Sequence, residues 1–424
     1  MHIMMVCSFP TTRLVGGDSV AANELARCYM QAGHQVTLVS ICRSGFDGWR
    51  KTIIGLDSIG FRPRYGKRAA RVLDELLDVY DPKALAFLRQ QLEQRQPDCV
   101  HFHGEHNGVS AHGPVVTKAL RIPAVLTLHG PWVLCAAYNL ARLPDYRACS
   151  GPGYLKCLAC RRPGFPYRIP IPFRNYVVRG GILSADLVTV ASRFLADRLL
   201  RGGYPRSKVI VIPHGVDEHT FRPRFGGSGD SQRAVFRVLF VGRVRYKKGV
   251  DHLVEACARL VGEGFPVQLD IVGDMVRPAA AGRCFVRYRG EVSRRDLPEC
   301  YQEADVLVQP SLIHEGFGLT ILEAMACGTP VVASAMGAMP EVVEDCGLLV
   351  PAGNPDALAS AMRRLILQPD LRKRLGSAGR ARVEGRFTWR AVAAEYLQRF
   401  TDLRRAEGHS ENEDDRKAVL QPAP

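Results

Sequence analysis

Short apolar, β-branched runs alternate along this chain with amphipathic stretches of helical period. IMMVCSF at residues 3–9 reads as a buried strand, and DSVAANELARCYMQAG at 18–33 as a helix. Asp18 or Ser19 is expected to cap that helix, and Gly33 suits a left-handed exit from it. QVTLVSIC (35–42) is the next strand. PDCVHFHG (97–104), AVLTLHG (124–130), DLVTVAS (186–192) and KVIVIPHG (208–215) follow, each ending in a turn. Continuously apolar strands that alternate with helices predict a parallel sheet covered on both faces.

The pattern breaks at residues 222–234, RPRFGGSGDSQRA, whose glycine, serine and charge predict a linker. Then it restarts. FRVLFVG, VQLDIVG, DVLVQPS and PVVAS read as strands, and GVDHLVEACARLV, DLPECYQEA and LTILEAMAC as helices. The expected architecture is α/β, with two doubly wound Rossmann-like domains facing a cleft. Ligands of such sheets bind at the carboxyl ends of the strands. The expected boundaries are 1–221 for the first domain, with a Cys-rich insertion at about 130–165, and 235–390 for the second. Residues 391–407 are expected to form a helix returning to the first domain, and 408–424 a disordered tail.

A chain of 424 residues supports two cores. No apolar run reaches the roughly 18 residues of a spanning helix. The opening MHIMMVCSFP lacks the features of a signal peptide, so a cytoplasmic location is expected. The formal charge is +15, which favours phosphorylated ligands or anionic surfaces. Arg62, Arg64, Lys67, Arg68 and Arg71 form one basic cluster.

HEGFGLTILEAMACGTPVVAS (314–334) carries the most chemistry. Gly316, Phe317 and Gly318 make a tight turn into a helix from Leu319, whose free amides and positive end suit an anion. A sugar diphosphate fits there, with Glu323 placed for ribose hydroxyls and Glu315 for the transferred sugar. In FVGRVRYKKGVDHLVEA, Arg243 and Lys248 stand at a strand's carboxyl end, where two cations neutralise a diphosphate leaving group. His129 ends the strand AVLTLHG, where sites gather in this fold. His101, His103 and His106 lie nearby; a supporting role or none is expected of them.

These motifs resemble the retaining GT-B glycosyltransferases of family 4, the group 1 type. The resemblance runs from about residue 3 to about residue 400 and is strongest from Val238 to Pro351. It implies that Glu315 and Glu323 contact donor sugar and ribose, and that Arg243 and Lys248 bind the diphosphate. It further implies that Gly16 and Gly17 close over phosphates or acceptor, that His129 lies near the sugar, and that amides around Phe317 and Gly318 hold sugar hydroxyls. The implied reaction moves a hexose-type sugar from a nucleotide diphosphate donor to a glycan or lipid-linked acceptor in surface polysaccharide or glycoconjugate synthesis. Retention comes from the resemblance alone. Two positions depart from the family pattern: His214 stands where Asn is usual, and Ala338 where a second Gly is common.

No Asp-x-Asp metal motif stands at a strand end, so no catalytic cofactor is expected. Cys135, Cys149, Cys157 and Cys160 are spaced C-x13-C-x7-C-x2-C. A closed structural zinc is the leading reading, with an iron–sulfur cluster or unligated thiols as alternatives. Two basic-aromatic stretches, 61–71 and 161–179, suggest docking on an anionic membrane, with Phe165, Ile169, Ile171 and Phe173 dipping into it. Internal packing of the same residues is the equal alternative. A sugar-nucleotide epimerase on the same fold, or a basic zinc-containing nucleic-acid binder, are the competing functions. Nucleic acid is not expected as a partner, because Glu315, Glu323 and their glycine turn have no place in such a binder.

Overall fold

A computed structural model of the protein describes residues 1–7, 16–41, 57–61, 79–104, 108–135, 140–142, 147–149, 151, 157, 171–224, 234–274 and 283–419. The described residues form two parallel sheets with helices on their faces. The first sheet contains β1 (His2–Cys7), β2 (Gln35–Ile41), β3 (Asp57–Phe61), β4 (Cys99–Gly104), β5 (Ala124–Leu128), β8 (Leu187–Val190) and β9 (Val209–Val211). Their order is β3-β2-β1-β4-β5-β8-β9. A short antiparallel pair, β6 (Ala141–Arg142) with β7 (Arg147–Ala148), lies in the insertion. The second sheet contains β10 (Phe236–Val241), β11 (Val267–Val272), β12 (Val286–Gly290), β13 (Val306–Gln309), β14 (Val331–Ser334) and β15 (Leu348–Val350). Their order is β12-β11-β10-β13-β14-β15. In both sheets the strand order reverses beside the first strand, which opens a crevice at the carboxyl ends there.

The central strands are buried on both faces, as their apolar runs require. Edge strands β3, β12 and β15 escape the pattern: VRYRG of β12 carries two arginines, and each edge has one neighbour only. Helix α1 runs Gly17–Gln31 with Gly16 as its N-cap, so Asp18 and Ser19 lie inside its first turn rather than capping it. The Ser19 hydroxyl instead donates to the Gly16 carbonyl at 2.9 Å. Gly33 exits left-handed at φ 83°.

Further helices are α2 (Pro82–Arg95), α3 (Gly108–Ala119), α4 (Ile171–Ile182), α5 (Arg193–Arg201), α6 (Val250–Gly262), α7 (Leu297–Glu303), α8 (Leu319–Ala326), α9 (Met339–Val343), α10 (Pro355–Leu367), α11 (Pro369–Arg386) and α12 (Trp389–Val419). Helix α12 crosses back onto the first sheet. Its Trp389, Val392, Ala393, Tyr396 and Phe400 pack with Ile3, Met5 and the α1 residues Val20, Leu25 and Tyr29. A bridge between Val216 and Thr388 ties the two crossings of the chain together. Helix α12 continues to Val419, through the stretch read above as a tail from residue 408. The segment ENEDDRKAV continues an anchored helix, so it carries no nucleation cost. Most of the expected linker (225–233), the basic cluster 62–71 and residues 161–170 lie outside the described residues.

Candidate active site

The loop from β13 to α8 holds the glycine turn. Gly318 sits at φ 104°, a conformation that favours glycine, and caps α8. Gly316 lies hard against the opposite half: a Cβ there would be 2.6 Å from the His129 carbonyl oxygen. Ser192, at the N-cap of α5, donates its hydroxyl to the Gly316 carbonyl at 2.9 Å. Glu341 crosses the same way, accepting the Arg193 amide at 2.9 and 3.0 Å. The two halves therefore meet through the turn itself. Ala338 keeps the local geometry: its amide donates to the Glu315 carbonyl at 3.0 Å.

Glu315 accepts from the Lys248 ammonium at 2.7 Å and from the Ser311 hydroxyl at 2.5 Å. Burial pushes its carboxyl up, but Lys248 and these hydrogen bonds outweigh burial and hold it below the usual range. Arg243 follows β10 and is exposed, with no ion pair among the described residues. Its charge reaches Asp18 across the cleft; burial of Asp18 nonetheless raises that carboxyl. Gly17 faces the start of α8, where a Cβ would be 3.1 Å from Leu319 Cδ1. Gly17 thus meets the start of α8 and Arg243 acts on Asp18, while Lys248 and Glu315 pair on the segments that follow β10 and β13.

Glu323 stands apart. It is buried, and it accepts from Arg294 at 2.6 Å and from the Tyr301 hydroxyl at 2.8 Å. Two donors thus occupy this carboxylate, which keeps further lone pairs free to accept. Phe317 is buried and meets His214 edge-on, with centroids 5.2 Å apart.

The model of the glycosyltransferase family 4 matches residues 15–220, and that of the group 1 glycosyl transferases matches residues 235–368. Alpha-maltose-1-phosphate synthase of Mycolicibacterium smegmatis is 31% identical over 328 residues, which span 70% of this chain and 77% of that protein. The chain belongs to this glycosyltransferase family. The D-inositol 3-phosphate glycosyltransferase of Streptomyces bingchenggensis is 35% identical over 237 residues, or 50% of the chain. The alignment spans about half of that relative's length, 51%. Sucrose-phosphate synthase from Thermosynechococcus elongatus superposes with TM-score 0.73 and 26% identity, covering 96% of this chain and 100% of its own. Anabaena HepE in complex with UDP shares the fold at TM-score 0.69 and 19% identity, covering 95% of this chain and 100% of its own.

Sequence reasoning on this glycosyltransferase missed Ser192, Ser311, Arg294 and Tyr301. Ser311 ends a strand run four residues before Glu315, which was a usable signal. Arg294 had none, since it follows the unrecognised edge strand β12, and Tyr301 stands in the helix read at DLPECYQEA with nothing local that points to Glu323. Cys135, Cys149 and Cys157 are half-buried. Among the described residues they form no group of three metal ligands, and Cys160 lies outside those residues.

Proposed function

We propose that this protein transfers a sugar from a nucleotide diphosphate donor to a glycan or lipid-linked acceptor, retaining the anomeric configuration. The observation that carries this reading is the Lys248–Glu315 pair at 2.7 Å beside the N-terminus of α8, with Arg243 just past the carboxyl end of β10. An ammonium has three donors, so Lys248 can keep Glu315 and still bind phosphate. As the bond from the anomeric carbon to the diphosphate oxygen breaks, charge develops on that oxygen. Arg243, Lys248 and the α8 amides stabilise it without reorganising. The acceptor oxygen forms the new bond, and its proton leaves on the departing diphosphate. Anabaena HepE, solved with UDP and with UDP-glucose, is a fold relative whose ligands are of this donor class.

A thermal-shift screen of nucleotide sugars and nucleoside diphosphates tests the reading. A ligand at 100 times its Kd should add about 2.7 kcal/mol of stability. If no member of the panel raises the Tm, the reading fails.

The acceptor side of the proposal includes reversible contact with an anionic membrane. No helix among the described residues is long and apolar enough to cross a membrane. Phe173 and Tyr176 on α4 are 57% and 76% exposed. Arg174 is buried onto the Trp132 carbonyl, and Arg179 is engaged at the surface by the Gly203 carbonyl. The basic contribution must therefore come from other arginines and lysines. Co-sedimentation with anionic vesicles, weakened by salt, is expected; no binding at low salt would point to a soluble acceptor. A structural zinc on Cys135, Cys149, Cys157 and Cys160 rests on the Cys-x-x-Cys spacing. Metal analysis should find about one zinc per chain, and metal-free protein purified without chelator would end that idea.

A further inference from the structure

Three histidines from three separate segments meet behind the glycine turn. His103 lies in β4, His129 follows β5 and His214 follows β9. His129 Nε2 is 3.1 Å from His103 Nδ1, and His129 Nδ1 is 3.2 Å from His214 Nε2. The rings of His103 and His129 are nearly parallel, at 15° with centroids 5.3 Å apart. His214 is held in turn by Phe317, at 5.2 Å edge-on, and by Trp389, at 6.0 Å.

A neutral imidazole has one donor and one acceptor nitrogen. Two nitrogen–nitrogen contacts in series therefore allow two consistent proton patterns. Either His103 donates to His129 and His129 to His214, or the direction is reversed throughout. In both, each ring nitrogen of His129 is used by another histidine. Burial lowers the pKa of all three rings, His214 to about 4. The titratable groups that act on His129 are His214 and His103, with no carboxylate among them.

We propose that His214 and His103 are positioning residues that take both ring nitrogens of His129 and fix its plane against the Gly316 turn. This rests on the glycosyl-transfer reading for its consequence in turnover. His129 then acts on the transferred sugar as a rigid wall of the pocket, and neither as a general base nor as an N–H donor. His214 stands where the family usually carries Asn, whose amide can also satisfy His129 Nδ1. The histidine does so with a ring that reaches Phe317 of the glycine turn. The link thereby joins the strand end of the first sheet to the start of α8.

The test uses the full chain with 15N-labelled histidine. Wild-type His129 should show one pyrrole-type and one pyridine-type nitrogen, unchanged from about pH 5 to 8. His214→Leu should release this pattern, so that His129 averages between tautomers, while His214→Asn should preserve it. A His129 that titrates in that range in wild type overturns the proposal. So does a His129 spectrum unaltered by His214→Leu in protein whose circular dichroism is native. Should the leucine variant fail to fold, His103→Leu against His103→Asn provides the same reading from the other nitrogen. For turnover, UDP-glucose hydrolysis by His214→Leu should fall about tenfold with UDP affinity unchanged, and His214→Asn should restore it. Equal losses in both variants would overturn the positioning role. If wild type binds no nucleotide sugar, the transfer reading fails while the nitrogen spectra still decide this one.

Discussion

Lys248→Ala is expected to lower sugar transfer by roughly a hundredfold or more, a loss of about 2–4 kcal/mol of transition-state stabilisation. Single-turnover rates with a saturating donor measure it. The structure adds a second consequence. Lys248 is the counter-ion of Glu315, and its removal leaves that carboxylate with the Ser311 hydroxyl as its side-chain donor. The single variant should therefore also lose stability, by about 1–3 kcal/mol for an orphaned, largely buried polar group. A double variant, Lys248→Met with Glu315→Gln, separates the two effects. It should regain most of the stability and none of the activity. If Lys248→Ala transfers within a few-fold of wild type, Lys248 does not bind the leaving group. Arg243→Ala should resemble Lys248→Ala in rate without its loss of stability, since Arg243 has no ion pair among the described residues to break. The two rate losses should not add, because both cations serve one developing charge.

The second large effect is acid destabilisation well above the pH at which carboxylates titrate. Burial lowers His214 from 6.5 to about 4 and His101 from 6.5 to about 3. Below about pH 6.5 the unfolded chain binds protons at these positions and the folded chain does not, so stability falls as pH falls. Their neutral-state stability is complete above the unfolded pKa and is lost progressively down to the folded one. Between pH 7 and pH 5 each histidine costs about 2 kcal/mol, or about 4 kcal/mol for the two. His103 and His129 shift in the same direction and add to the loss. Asp18, Glu24 and Glu341 are raised by burial, so their folded forms take up protons early and oppose it. Denaturant midpoints at pH 7 and pH 5 measure the sum. His214→Asn isolates one contribution: its acid sensitivity should be smaller than that of wild type by about half of the two-histidine loss. A His214→Asn variant as acid-sensitive as wild type would mean that the His214 ring is charged or solvated in the fold.

The periodicity of apolar runs was sufficient for two parallel α/β domains, because strands buried on both faces cannot hide a mixed pattern. The spacing from Glu315 to Glu323 and the glycine turn were equally readable, since a helix entry beside a strand end depends on local residues. The edge strands β3, β12 and β15 were not readable, because half-solvated positions tolerate charge and glycine. Neither was the company each site residue keeps. Lys248 and Glu315 are separated by 67 positions along the chain yet touch, and the contact exists only once β10 and β13 lie side by side. Arg294 and Tyr301 claim Glu323 through the same sheet order. His103 sits near His129 in sequence terms only by the accident of a βαβ unit, and His214 reaches it from 85 positions away. Local sequence thus determined which groups stand at strand ends and helix starts. Tertiary packing decided which of them meet, because crossovers that bring distant strand ends together leave no periodic trace in the residues between.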